Sequence, residues 1–509
     1  MHARPTTTTT ARWVSWTIGL GLCSMWLIFP LVNGPLGLLR DFWSWAVLCV
    51  AAWLLLRVYT PESVLLPSFV WSLAGAATAN AGQAMVQAYQ WWRHTGLSDV
   101  YGFMHQRNQL ATLCLMGLVA CSWLAATPSK LPLAKPALHR ATTHTLSVVL
   151  GATVSLSASR TGLLGLVLLW LAAEFMTLHG TQSPSRRAMR TPLRFALLGY
   201  GLAMLASMGS GDAPMGILAR QNAQEGVNVC SSRLSLWANV LQLIGQKPWS
   251  GWGWGELDYA HFITLFQTER FCALLSNAHN LPLHLAVELG LPLTLVLCAA
   301  ALMAVRAGQA WREHNPDRLL AWGVLFAIAL HSLLEYPLYY GPFQVSALLC
   351  LWILVRTQRQ PSADCAPGRS DWNSTGRRAG QMAAGIGLLF VGFVAGDYYR
   401  ASQIYLPPAQ RIGLYRDSPQ QHIQHSVFFQ DHIDFASLGL ATVTPENATQ
   451  LRALALSMLH FSPEAMVVEK LLTSTRLLGL DEEYAFYRQR FAAAYPQAFA
   501  RWKASEPNE

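Results

Sequence analysis

The sequence predicts an all-α polytopic membrane protein, and three observations predict it. Hydrophobic residues make up 52% of the 509-residue chain and charged residues only 12%, about half the charged share of a soluble globular domain. Apolar runs of about 17–25 residues, each long enough to cross roughly 30 Å of hydrocarbon, recur along most of the chain. The loops between them alternate between rich and poor in Lys and Arg.

Eleven such runs are read in order: about 13–32, 42–58, 63–84, 108–126, 141–158, 161–179, 194–210, 280–305, 317–334, 342–356 and 381–397. With the N-terminus inside, the cytoplasmic side receives Lys130/Lys135/Arg140, Arg186/Arg187/Arg190/Arg194, Arg306/Arg312/Arg318 and Arg356/Arg359/Arg369/Arg377/Arg378. Arg4, Arg12 and Arg57 join them, so that side holds 18 of the 36 basic residues, against eight on the opposite loops. This asymmetry predicts an N-in chain, and an odd helix count then puts the C-terminal tail outside. The net charge of +9 is therefore assigned to topology-setting arginines beside anionic lipid, and no nucleic-acid partner is expected. Thr6–Thr10 reads as a disordered leader, and the first apolar run as an uncleaved helix, because it starts late and lacks a small-residue cleavage site.

Four regions follow. Residues 1–210 form an N-terminal transmembrane bundle and 211–276 a large outer loop. Residues 277–397 form C-terminal transmembrane helices, and 398–509 a small helical outer domain. In the loop, Arg233–Ile244 has helical apolar spacing, and Pro248–Gly255 reads as a Gly/Trp turn with aromatic anchors at the interface. In the tail, apolar residues recur at helical spacing over 447–460, 463–478 and 481–495, as a protein-binding repeat or a small packing domain would show. Cys230 and Cys272 share the outer loop. Two thiols in one oxidising compartment suggest a disulfide, with two unpaired thiols as the alternative. The sequence has no CxxC pair and no His/Cys metal-ligand cluster, so neither a metal nor a cofactor is expected.

The polar residues that can carry chemistry collect where spans meet water on the outer side. Arg107 opens the fourth run, and Arg160 lies in a turn between two spans with almost no loop. A guanidinium flanked by apolar helix must snorkel, pair or face a cavity. Arg233 begins the outer-loop helix and is either solvated or part of the same basic face. Arginine grips phosphate in a partly dry site through paired, charge-assisted hydrogen bonds, so these three point to a phosphate or pyrophosphate ligand. His279, in Asn277-Ala278-His279-Asn280, is either a helix-start residue bonded to backbone, with Asn277 or Ser276 as the cap, or a proton acceptor working near neutral pH. Asn280, His284 and Glu288 follow one another at helical spacing. Glu288 orients a partner or faces a cavity, and His284 reads as a core histidine. His331 and Glu335, with Tyr336, read as a one-turn pair at the end of the ninth run.

In this order the motifs resemble the O-antigen ligase/polymerase superfamily. Ser159-Arg160-Thr161-Gly162, the Pro248–Gly255 segment, Asn277-Ala278-His279-Asn280 and Glu288-Leu289-Gly290 carry that likeness. Gln106-Arg107-Asn108-Gln109-Leu110-Ala111-Thr112 and His331-Ser332-Leu333-Leu334-Glu335-Tyr336-Pro337 make the chain most similar to bacterial protein O-oligosaccharyltransferases of the PglL type, which include pilin glycosyltransferases. The resemblance implies en bloc transfer of a glycan from a polyprenyl-pyrophosphate carrier (undecaprenyl pyrophosphate) to Ser or Thr of a periplasmic or pilin-like protein. It implies a metal-independent reaction at the periplasmic face of the inner membrane, with membrane lipid and the acceptor protein as partners. His279 matches the family's essential histidine, and Arg107, Arg160 and Arg233 match its basic positions. Asn277, Asn280 or Glu335 would orient the imidazole or the sugar, and the His331/Glu335 pair is the next candidate for proton transfer. A lipopolysaccharide O-antigen ligase with a lipid A-core acceptor and a glycan polymerase are the nearest alternatives. A secondary transporter would need broken helices near mid-membrane and internal repeats, which are not seen.

Overall fold

In the computed structural model the described residues are 7–32, 34–57, 61–93, 100–127, 136–178, 184–208, 230, 232–357 and 374–505. Every regular element among them is helical. The helices are α1 (Thr7–Ser24), α2 (Leu39–Leu55), α3 (Pro61–Trp92), α4 (Arg107–Ala126), α5 (Pro136–Leu156), α6 (Arg160–Leu178) and α7 (Pro184–Met208). They continue with α8 (Arg233–Gln246), α9 (Leu257–Ile263), α10 (Leu281–Leu289), α11 (Leu291–Gly308), α12 (Pro316–Ser332), α13 (Gly341–Arg356) and α14 (Ser374–Ser402). The last are α15 (Pro419–His422), α16 (Gln430–Leu440), α17 (Ala448–Phe461), α18 (Ala465–Leu477), α19 (Asp481–Ala494) and α20 (Pro496–Ser505).

The chain divides into two compact units, one of Met1–Glu225, Val305–Ser332 and Pro337–Ala395, the other of Gly226–Ala304, Leu333–Tyr336 and Gly396–Glu509. In the first unit α4 runs through the core, and every residue from Asn108 to Leu124 is buried. Small and aliphatic side chains on all its faces (Ala111, Cys114, Gly117, Ala120) leave no side suited to water. The α5 and α7 backbones approach closely, because Gly151 faces the Ala196 carbonyl and Gly199 faces that of Val148 with no room for a Cβ. Trp26, Phe69, Trp123 and Phe343 fill the rest of this core.

The second unit has two apolar clusters. One joins Leu236, Val240 and Leu243 of α8 to Leu257 and Ala260 of α9 and to Ala286 and Val287 of α10. The other gathers Leu451, Met458, Val468, Leu471 and Phe491 of the tail helices around Phe262 of α9. The C-terminal helices therefore share a core with the outer-loop segment. The bounds of α17, α18 and α19 fall within two residues of the predicted ones.

Each of the eleven apolar runs falls on helix. Among the described residues, six stretches are long and apolar enough to cross a membrane: Gly34–Leu55, Ser63–Trp92, Arg107–Ala126, Arg160–Leu178, Leu291–Arg312 and Thr375–Ser402. The chain is a multi-pass helical membrane protein. The other helices fall short for visible reasons. α12 and α13 have 17 and 16 residues, and α7 carries four arginines in its first half. Three local expectations are corrected. Thr7–Thr10 are helical rather than a disordered leader. The ninth run ends as helix at Ser332, before Glu335. The run expected over 280–305 is two helices, broken at Gly290, whose φ of +82° lies in the left-handed region open to glycine. At that break the Val287 and Glu288 carbonyls, orphaned by the helix end, accept from the N–H groups of Trp252 (2.8 Å) and Gly253 (3.0 Å). The Gly211–Pro214 segment, Lys130, Lys135, Arg359, Arg369 and Cys365 lie outside the described residues.

Candidate active site

His279 stands at a strained point of the second unit. Its φ is +49°, a conformation that costs a non-glycine residue about 1 kcal/mol or more. Asn277 holds it there, because its Oδ1 accepts the His279 N–H at 2.8 Å. The next residue starts α10. Asn280 is the N-cap, its Oδ1 accepting from Leu283 N–H at 3.0 Å, so the cap lies three residues beyond Asn277 and four beyond Ser276, where it was expected. Pro282 follows within the first turn, where its missing N–H is no loss.

The short segment Leu333–Tyr336 meets this turn at three points. Asn280 Nδ2 donates to the Leu333 carbonyl at 3.0 Å. The Tyr336 ring packs edge-on to the His279 ring with centroids 5.0 Å apart. His279 Nδ1 lies 2.6 Å from Glu335 Oε2. A carboxylate only accepts, so Nδ1 carries the hydrogen and Nε2 is left as the basic nitrogen. The other carboxylate oxygen, Oε1, accepts from Arg233, the first residue of α8. Glu335 is nearly buried, its side chain 9% exposed, while that of His279 is 30% exposed. The arrangement is an accessible imidazole backed by a sequestered carboxylate, which a guanidinium in turn holds.

The start of α8 is fixed twice. Ser232 Oγ accepts from Ser235 N–H at 3.1 Å, and Cys230 is joined to Cys272 with a Cα–Cα separation of 5.4 Å. Below α8, Asn239 Oδ1 accepts from Phe271 N–H (2.8 Å) and from His261 Nε2 (3.2 Å). Arg270 donates to the His261 carbonyl at 2.7 Å. Burial, then the Arg270 charge, pushes the His261 pKa down to about 3, so this histidine is a neutral structural link. Nearby, burial and then Glu256 push the Asp258 carboxyl up to about 7. Glu288 is buried. Its Oε1 accepts from Gly255 N–H at 3.1 Å and lies 3.6 Å from His284 Nε2, so it ties the Gly/Trp turn to α10.

In the first unit Arg107 and Arg160 are the first residues of α4 and α6. Gln106 caps α4 through Gln109 N–H at 2.6 Å, and Ser159 caps α6 through Gly162 N–H at 2.9 Å. Ser159 Oγ also donates to Asn108 Oδ1 at 2.7 Å, which joins the two helix starts and brings both arginines to one end of this unit. The residues two before each arginine, His105 (φ +55°) and Ala158 (φ +52°), are left-handed, like His279. His331 is buried, its Nδ1 2.9 Å from Thr112 Oγ1 and its ring edge-on to Phe343. Glu335, which the sequence pairs with His331, lies in the second unit, where it accepts from His279 and Arg233. Sequence reasoning missed the Asn108–Ser159 and Thr112–His331 links, although all four residues lie in the motifs that it singled out.

A helical membrane protein with an imidazole–carboxylate–guanidinium cluster is thus the class that fold and site define. The family described as O-Antigen ligase matches residues 145–298, and that described as Virulence factor membrane-bound polymerase, C-terminal, matches residues 319–508. The chain is 23% identical over 259 residues to a General O-oligosaccharyltransferase of Acinetobacter baylyi, covering 48% of this chain and 41% of that protein. It is 29% identical over 124 residues to the ComP-specific O-oligosaccharyltransferase of the same organism, covering 24% of this chain and 22% of that protein. The chain thus spans less than half the length of the curated relatives it matches. These matches support the O-antigen ligase superfamily for this chain, close to the PglL-type enzymes.

Proposed function

We propose that this protein is an O-oligosaccharyltransferase that moves a preassembled glycan from a polyprenyl-pyrophosphate carrier, such as undecaprenyl pyrophosphate, to a Ser or Thr hydroxyl of a periplasmic or pilin-like protein. The observation that carries the reading is the partly exposed His279 imidazole with its Nδ1 on Glu335. The acceptor oxygen attacks the anomeric carbon, the bond from that carbon to the pyrophosphate oxygen breaks with its electron pair, and the hydroxyl proton passes to His279 Nε2. Displacement at one centre inverts its configuration. General-base help of this kind contributes about 10²–10⁴-fold. Glu335 keeps the tautomer and stabilises the imidazolium that forms, as carboxylate-backed histidines do elsewhere.

Arg107 and Arg160 neutralise the charge that develops on the leaving pyrophosphate. Arg233 spends one branch of its fork on Glu335, so it positions that carboxylate, and its remaining N–H groups are available to phosphate. Asn277, Asn280 and Tyr336 fix the imidazole's backbone and ring, whereas Glu288 ties the Gly/Trp turn to α10 and His331 bonds Thr112 within the first unit. The loop asymmetry of Lys and Arg favours an N-in chain with the site and the tail on the periplasmic side of the inner membrane.

The likeness to O-oligosaccharyltransferases, one of them specific for ComP, favours a protein acceptor over the lipid A-core acceptor of a ligase. Intact-mass analysis of periplasmic proteins with and without the gene tests this. Loss of a glycan-sized mass from a protein is expected. Loss of lipopolysaccharide O-antigen ladders with protein masses unchanged would replace this reading with the ligase.

A further inference from the structure

We infer that α8 lies along the membrane surface, with its outward stripe seated at the boundary between lipid headgroups and acyl chains. The helix has two apolar faces. Leu236, Asn239, Val240, Leu243 and Ile244 are buried within the second unit. On the opposite side Leu234, Ala238, Leu241 and Gly245 are all exposed, Leu234 by 77% and Leu241 by 56%. At about 100° per residue these four positions fall in one stripe roughly 60° wide. No polar side chain interrupts it. Two exposed leucines joined by Ala238 and Gly245 along one helix face form a continuous apolar stripe rather than an isolated surface leucine.

The chain that follows says what covers the stripe. Trp249 comes three residues after the end of α8 and is 80% exposed. Its neighbour Pro248 accepts the N–H of Leu291 at 2.8 Å, and Leu291 is the first residue of a stretch long and apolar enough to cross a membrane. The outer surface of that stretch begins with exposed Leu291, Leu293 and Leu295. Trp249 is therefore tied to the level at which a lipid-facing span begins, and the α8 stripe leads up to it. An exposed indole at a span's end, beside Lys247, Gln242 and Gln246, is the composition of a membrane–water boundary. The surface requires only that α11 crosses the bilayer. It is separate from the glycan-transfer reading, although it sets the depth of Arg233 at the start of α8.

The test uses the full chain in lipid nanodiscs, with Cys23, Cys49, Cys298 and Cys365 replaced by Ser and the Cys230–Cys272 bridge kept. Nitroxide is attached to Leu241→Cys and, separately, to Ala238→Cys, and its collisions with oxygen and with a water-soluble nickel chelate are compared. Leu295→Cys on α11 serves as the lipid reference and Glu482→Cys on α19 as the water reference. The inference predicts an oxygen-to-nickel ratio at both α8 positions on the side of Leu295 and well above that of Glu482. A ratio equal to that of Glu482 would mean that the stripe faces water. Low collision with both reagents would mean that protein covers it. Either result overturns the inference, and neither depends on glycan transfer.

Discussion

His279 Nδ1 lies 2.6 Å from Glu335 Oε2, across 56 positions of sequence. The contact fixes which imidazole nitrogen is basic and places a negative charge where an imidazolium would form. Both effects are what the proposed general base requires.

Glu335→Gln retains an oxygen that can accept the Nδ1 hydrogen but removes the charge. Transfer should fall by about 10²-fold or more in kcat, with the acceptor KM little changed. Steady-state kinetics on purified protein checks this. Activity within about twofold of wild type would show that the carboxylate's charge is not used.

Arg160 and Arg233 should respond differently to lysine. Arg160→Lys keeps the charge but loses the fork, so its transfer should be nearly as low as that of Arg160→Ala. Arg233→Lys can still reach Glu335 with a single donor and should retain more activity. Parallel transfer assays at matched protein level decide it, and the reverse order would contradict the assigned roles.

The Cys230–Cys272 bridge closes a loop of 42 positions around the start of α8. Replacing both with Ser should cost about 2–4 kcal/mol of stability and loosen α8 first. Faster amide exchange across Arg233–Gln246 is the expected signature. Unchanged exchange and melting would show that the Ser232 cap and the apolar face of α8 suffice.

Asp258 carries a pH dependence of defined sign. Burial lifts its carboxyl from 3.8 to about 7 in the folded state, so above pH 3.8 the unfolded chain loses this proton while the folded chain keeps it. Stability from this group is full below pH 3.8, falls as pH rises towards about 7, and is level beyond. Asp258→Asn should therefore melt like wild type at pH 3.5 and progressively higher than wild type towards pH 7. His261, lowered to about 3, runs the other way, and its stability is lost as pH falls below 6.5. With Asp258 removed, the rise of stability from about pH 3 to 6.5 should stand out in melting curves. A melting difference between Asp258→Asn and wild type that is constant with pH would remove the argument.

Much of this was legible in the sequence because it is local. Hydrophobic period and length mark the apolar helices, and three of the six tail helices, α17, α18 and α19, are found within two residues. Asn277 is expected as a helix cap but accepts the His279 N–H instead, and the run expected over 280–305 breaks at Gly290. The other unpredicted features are long-range. No spacing rule brings Glu335 to His279 or Arg233, and helical periodicity made His331 its natural partner. The helix stops at Ser332, so helical spacing does not fix where Glu335 points. Phe262 in the core of the tail is a similar case, since a seven-residue helix in a loop gives no sign of the core that it joins.

The central claim is that His279 takes the acceptor's proton, and single-turnover transfer by His279→Ala tests it most directly. Purified protein, lipid-pyrophosphate-linked glycan and a hydroxyl-bearing acceptor protein are mixed, and donor binding is measured on the same preparation. The account predicts a rate lower by about 10²–10⁴-fold, with donor affinity within about twofold of wild type and the glycan left on its carrier. A wild-type rate would show that another group is the base. Loss of donor binding would make His279 a substrate ligand instead.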